Sequence, residues 1–199
     1  MGRLITLPEA ERLADRCRTE DKRLVLANGC FDLIHVGHIR YLRDAKRLGD
    51  TLLVALNGDA SVRRLKGPGR PLMSAAERAE ILCALEPVDY VLIVDEDTMD
   101  RLVARLRPQV HAKGTDYTEE TVPERESVRA SGGRVAIAGD PKAHSTTGLI
   151  ATILERFQVG RGAEGGVGDG AGGAEGGAGD GAREAAGEGS DRAKPRRRR

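Results

Sequence analysis

The sequence predicts an α/β fold, a doubly wound five-stranded parallel sheet, on three observations. Short aliphatic runs alternate with amphipathic stretches through residues 1–159. One of those runs, Thr51 to Leu56, is nearly all apolar, as a parallel strand covered on both faces would be. Helix start and stop signals fall between them at the spacing of βα units.

In order along the chain, Thr6-Leu7-Pro8-Glu9 is a capping box with proline in the first turn, opening a helix to about Arg18. The first strand is Arg23 to Ala27, and the loop NGCFDLIHVGH leads from it into a helix from Gly37 to Leu48, closed by Gly49. Thr51 to Leu56 is the second strand. The basic segment VRRLKGPGRPL after Asn57-Gly58-Asp59 reads as a loop. A second capping box, Ser74 with Glu77, opens a helix to about Leu85, ahead of the third strand, Tyr90 to Val94. Helix Thr98 to Leu106, strand Val110 to Lys113, helix Pro123 to Ala130, strand Arg134 to Ala138 and helix Thr146 to Phe157 complete the series. Right-handed crossovers then put a ligand site at the carboxyl ends of the strands.

Composition divides the chain of 199 residues unevenly, since 14 of its 26 glycines fall in residues 160–199. That tail has no apolar periodicity and ends in four arginines, so two regions are expected, a folded domain over 1–159 and a disordered Gly-rich tail over 160–199. The tail holds 8 basic and 7 acidic residues, and the remaining 24 of each leave the folded part formally neutral, which argues against a specific nucleic-acid partner. No run approaches the roughly 20 apolar residues of a membrane span, and the N-terminus carries acids where a signal peptide needs an apolar core. A soluble, cytoplasmic protein with no membrane partner is expected. Cys17, Cys30 and Cys83 lie far apart, which disfavours a disulfide framework or a cysteine-based metal site.

Chemistry concentrates at the end of the first strand. In His35-Val36-Gly37-His38, two imidazoles three residues apart enter a helix on one side, where free backbone N–H groups and the helix dipole attract a polyphosphate. Gly29 is expected to turn the chain sharply off the strand, and Gly37 to let a phosphate approach the main chain. A histidine near a helix start also serves as a cap, and such a pair also suits a metal. No GxGxxG or GxxxxGK[ST] loop occurs.

The segment GCFDLIHVGH, Gly29 to His38, resembles the signature of the cytidylyltransferase-like nucleotidyltransferases in every fixed position. Further stretches, YLRDAKRLGD, VALNGDASVRRLKGPGRPL, ALEPVDYVL, HAKGTDY and HSTTGLIATI, are similar to the adenylyltransferase domains that make ADP-heptose in bacteria. The resemblance covers about residues 24–155 and implies a Rossmann-like nucleotidyltransferase fold. It also implies attack by the phosphate of a sugar 1-phosphate, D-glycero-β-D-manno-heptose 1-phosphate, on the α-phosphorus of ATP, with Mg²⁺ bridging phosphates.

By the same resemblance His35, His38 and Lys46 take the catalytic roles. Gly29, Cys30, Phe31, Gly37, Lys113, Gly114, Ser145, Thr146 and Thr147 contact the nucleotide, while Asp59, Arg63, Lys66 and Asp116 meet the acceptor. No residue is assigned as a metal ligand. Asp32 suits either a water-mediated metal contact or bonds to loop N–H groups. Two departures stand out: Ile150 occupies a place where many relatives carry arginine, and Gly139 to His144 lacks the Arg-Thr-x-Gly segment of enzymes that use CTP. Only 22 residues precede the first strand, so a separate sugar kinase is expected to supply the 1-phosphate, and a homodimer is compatible with the reading.

Overall fold

The computed structural model describes residues 1–141 and 144–158. The expected Gly-rich tail lies outside the described residues. The strands are β1 (Arg3–Leu4), β2 (Leu24–Gly29), β3 (Thr51–Asn57), β4 (Tyr90–Val94), β5 (Val110–Gly114) and β6 (Arg134–Ala138). The helices are α1 (Leu7–Thr19), α2 (Val36–Lys46), α3 (Asp59–Lys66), α4 (Ala75–Ala84), α5 (Asp100–Leu106), α6 (Arg125–Ala130) and α7 (Thr146–Gln158). All strands are parallel in the order β1-β4-β3-β2-β5-β6. The chain builds outward from β2 to β3 and β4 on one side, then returns to lay β5 and β6 on the other. The topological switch therefore sits at the carboxyl end of β2, where an open α/β sheet leaves a crevice.

Side-chain alternation along buried strands makes two cores. Val25, Ala27, Leu52, Val54, Leu56 and Val110 face α2 and α4. Leu24, Leu26, Leu53, Ala55 and Leu92 face α1, α5 and α6. The capping boxes form as the sequence predicts: the N–H of Thr6 donates to Glu9 Oε2 at 2.7 Å, and that of Ser74 to Glu77 Oε2 at 2.8 Å.

Three expectations require correction. The sheet has six strands rather than five, because Arg3 and Leu4 pair with Tyr90 and Val91 at one edge. Both are exposed, so no burial pattern marks them in the sequence. The basic segment is not all loop: Asp59–Lys66 is helical, with an acid in its first turn, three cations in its last and Gly67 at φ 87° stopping it. The glycines and prolines that follow masked a favourable helix end. Finally, β2 runs on to Gly29, which pairs with Leu56, so Gly29 does not make the turn. Phe31 makes it at φ 45°, and a Cβ on Gly29 would stand 3.1 Å from the Phe31 ring.

Candidate phosphate-binding site at the end of β2

Phe31 is buried and drives its ring beneath the start of α2, 5.1 Å from the His38 ring and 6.4 Å from that of Tyr41. On this wedge the imidazoles of His35 and His38 stack with centroids 3.9 Å apart and planes 22° apart. The backbone N–H of His35 donates to Nδ1 of His38 at 3.4 Å. A nitrogen that accepts carries no proton, so neutral His38 keeps its hydrogen on Nε2, where it can donate. Burial and then His35 hold His38 down at about 4; burial and then His144 lower His35. Both rings are neutral at pH 7.

Gly37 also makes room for a neighbouring side chain. A Cβ at Gly37 would stand 3.0 Å from His35 Nδ1, so the space above that glycine belongs to the imidazole. Nδ1 of His35 and Oδ1 of Asn28 are buried without a hydrogen-bond partner in the described structure. Orphaned polar atoms at a helix start beside a sheet switch point suit a polar ligand.

The start of α7 closes the other side. Thr146 Oγ1 donates to the Leu33 carbonyl at 3.3 Å, the Gly148 N–H donates to Ser145 Oγ at 3.0 Å, and the His144 ring lies 6.3 Å from that of His35. Ser145 is thus the helix cap, and Thr147 is exposed one residue into the helix. Across the β2–β3 side, Arg63 and Lys66 project from α3, both exposed and without an ion pair among the described residues. Cys30 is half-buried; burial pushes its thiol up against the pull of Lys66, which places that ammonium within electrostatic reach of the loop.

Other expected residues are used differently. Lys46 closes α2, about 16 Å of helix away from His35 at 1.5 Å per residue, at the amino edge of the sheet. There its Nζ lies 2.5 Å from Asp89 Oδ2 and donates to the Asp50 carbonyl at 2.7 Å. Eleven residues are three turns, which keeps the face but reaches the wrong end, so the expected phosphate contact by Lys46 is corrected. Lys113 alternates onto the α6 face of β5, where Nζ is 3.0 Å from Glu124 Oε2 and only 7% of the side chain is exposed. Glu124 is held at about 2: burial raises it, but His111 and Lys113 outweigh that. Gly114 ends β5 with nothing within 4 Å of where a Cβ would be, and Asp116 is exposed in the turn beyond.

Asp32 takes the loop-binding option. It is 1% exposed, accepts the N–H groups of Leu72 at 2.7 Å and Met73 at 3.1 Å, and lies 2.5 Å from Arg70 Nε. Asp59 pairs with Arg78 at 2.7 Å. Sequence reasoning missed Arg78, although it sits four residues before Leu82 on the buried stripe of α4. Among the described residues no three His, Cys, Asp or Glu side chains gather as a metal site. No described helix is long and apolar enough to cross a membrane.

A cytidylyltransferase-like family model matches residues 26–156. The bifunctional protein HldE of Geotalea uraniireducens is 56% identical over 136 residues, 68% of this chain and 28% of that protein. HldE of Syntrophotalea carbinolica is 52% identical over 143 residues, 72% of this chain and 29% of that one. The chain thus spans less than a third of these relatives. Among solved structures, the lipopolysaccharide core biosynthesis protein of Thermoplasma volcanium superposes with a TM-score of 0.53 at 25% identity, covering 61% of this chain and 99% of that one. Pantothenate synthetase of Thermus thermophilus reaches 0.52 at 18% identity over 75% of this chain and 64% of that one, a likeness of fold.

Proposed function

The chain belongs to the cytidylyltransferase-like family, and from that premise we propose that residues 1–159 transfer AMP from ATP to D-glycero-β-D-manno-heptose 1-phosphate, forming ADP-heptose and pyrophosphate. The observation that carries the transfer is the pair of stacked, neutral imidazoles at the start of α2, facing the start of α7 at the switch point. The heptose acceptor rests on identities above 50% to proteins named HldE and on the LKGPGRP and KGTDY stretches.

In this reading His38 Nε2–H and His35 donate to the α-phosphate and steady the charge that builds as five oxygens surround phosphorus. A phosphate polyanion raises the basicity of both rings and so favours the imidazolium form, a charged and stronger donor, once ATP is seated. The N–H groups and hydroxyls at the start of α7 hold the outer phosphates, and Arg63 and Lys66 meet the acceptor phosphate or the departing pyrophosphate. The attacking phosphate is ionised near neutrality, so positioning replaces a general base. Mg²⁺, when bound, neutralises phosphate charge; with both Asp32 oxygens engaged by the 70–73 loop, the ion fits as one carried by the phosphates and water. The acceptor comes from a reaction that phosphorylates an anomeric hydroxyl, and the chemistry belongs in the ATP-rich cytoplasm.

Pyrophosphate release from the purified protein tests this. ATP with the heptose 1-phosphate should turn over far faster than CTP with the same acceptor. A faster reaction of CTP with glycerol 3-phosphate would overturn the acceptor, and nucleotide binding without turnover across sugar and alcohol phosphates would overturn the transfer.

A further inference from the structure

Arg78 is wholly buried, yet its four hydrogen bonds go to four different places. Nε donates to the Met73 carbonyl at 3.0 Å, Nη1 to the carbonyls of Cys30 at 2.5 Å and Asn57 at 2.8 Å, and Nη2 to Asp59 Oδ1 at 2.7 Å. Burying a charge is costly, and here four acceptors offset that cost, three of them backbone carbonyls that an apolar side chain would leave orphaned. The positions of those acceptors say what else the arginine does. The β2–β3 ladder ends with Gly29 opposite Leu56, and the next carbonyl on each chain, Cys30 and Asn57, is held by the same guanidinium nitrogen. Beyond Cys30 the chain enters the imidazole pair; beyond Asn57 it enters α3, whose first residue is Asp59. One planar fork thus couples the two halves of the candidate site where the sheet no longer does.

We propose that Arg78 is a positioning residue for nucleotidyl transfer, fixing the imidazole pair of the β2 loop against the α3 cations Arg63 and Lys66 so that both act on one phosphate chain. The inference rests on the transfer reading above, and its experiment separates the two. Acceptor-dependent pyrophosphate release by the unaltered protein comes first; its absence overturns the reading and this inference with it.

Given that activity, Arg78→Met should remain folded by circular dichroism and lower kcat by on the order of 100-fold, the scale of a small misplacement of reacting groups, with KM for ATP little changed. A second measurement separates positioning from general loosening. Lys66→Ala alone should cost roughly 10-fold or more, but added to Arg78→Met it should cost under about 3-fold, because coupled residues are not additive. If Arg78→Met does not fold, Asp59→Asn releases the α3 arm while three backbone bonds remain, and should lower kcat with the same loss of Lys66 sensitivity. An unchanged kcat in a folded variant, or multiplicative losses in the double variant, would overturn the positioning role.

Discussion

The two ends of α2 carry basic side chains in opposite circumstances. At its start, at the carboxyl edge of the sheet, His35 and His38 are neutral, stacked on one another, and His35 Nδ1 is left without a partner. At its finish, at the amino edge, Lys46 is fully occupied: Asp89, which also accepts the Leu52 N–H at 2.7 Å, and the Asp50 carbonyl bind its ammonium. One end of the helix is satisfied and the other carries an unpaired nitrogen. Groups that a fold leaves unpaired, rather than groups that are merely charged, mark where a ligand belongs.

The largest expected break in this comparison is His38→Ala, which should lower turnover by on the order of 100-fold or more, as loss of one preorganised donor does, with circular dichroism unchanged. Near-normal turnover in a folded variant would remove the contrast between the two ends.

Acid gives a second, thermodynamic contrast. An unperturbed histidine titrates at 6.5, but burial and then His35 hold His38 at about 4. Between those values the unfolded chain binds a proton that the folded protein refuses. The stability linked to His38 is therefore whole above pH 6.5 and is lost as pH falls toward 4. Allowing for residual solvent, the loss is on the order of 1–2 kcal/mol. Urea denaturation at pH 7 and pH 4.5 should show it in the native protein and less of it in His38→Gln. An equal acid loss in both would place the effect elsewhere.

The smallest effect belongs to Lys46→Met. A part-exposed ion pair contributes about 1 kcal/mol or less, so thermal denaturation should shift slightly and turnover by less than about twofold. A tenfold loss of turnover would restore Lys46 to the chemistry.

These cases also show what was legible in the sequence. The buried strands and capped helices were readable because period and capping are local properties. The His-x-Gly-His motif was readable because it follows a strand directly. Lys46 was misplaced because its spacing from His35 fixed a helix face without saying which edge of the sheet that face had reached. Arg78 was invisible because a cation on an amphipathic helix reads as solvent-facing unless its acceptors are known. Three of those four acceptors are backbone carbonyls, which leave no mark in a sequence. The helical nature of α3 was hidden by the Gly-Pro-Gly that follows it, and β1 by its exposure.

Neutral imidazoles have a consequence for how an anion arrives. A neutral donor exerts almost no pull beyond contact, whereas a formal charge acts across a Debye length of about 10 Å at 0.1 M salt. In the proposed transfer, long-range capture falls to Arg63 and Lys66 on exposed α3, and short-range alignment to the histidines. Added electrolyte should slow the encounter by screening the first pair while leaving the second almost untouched. On that proposal, recognition of phosphate divides into a step that senses ionic strength and a step that does not.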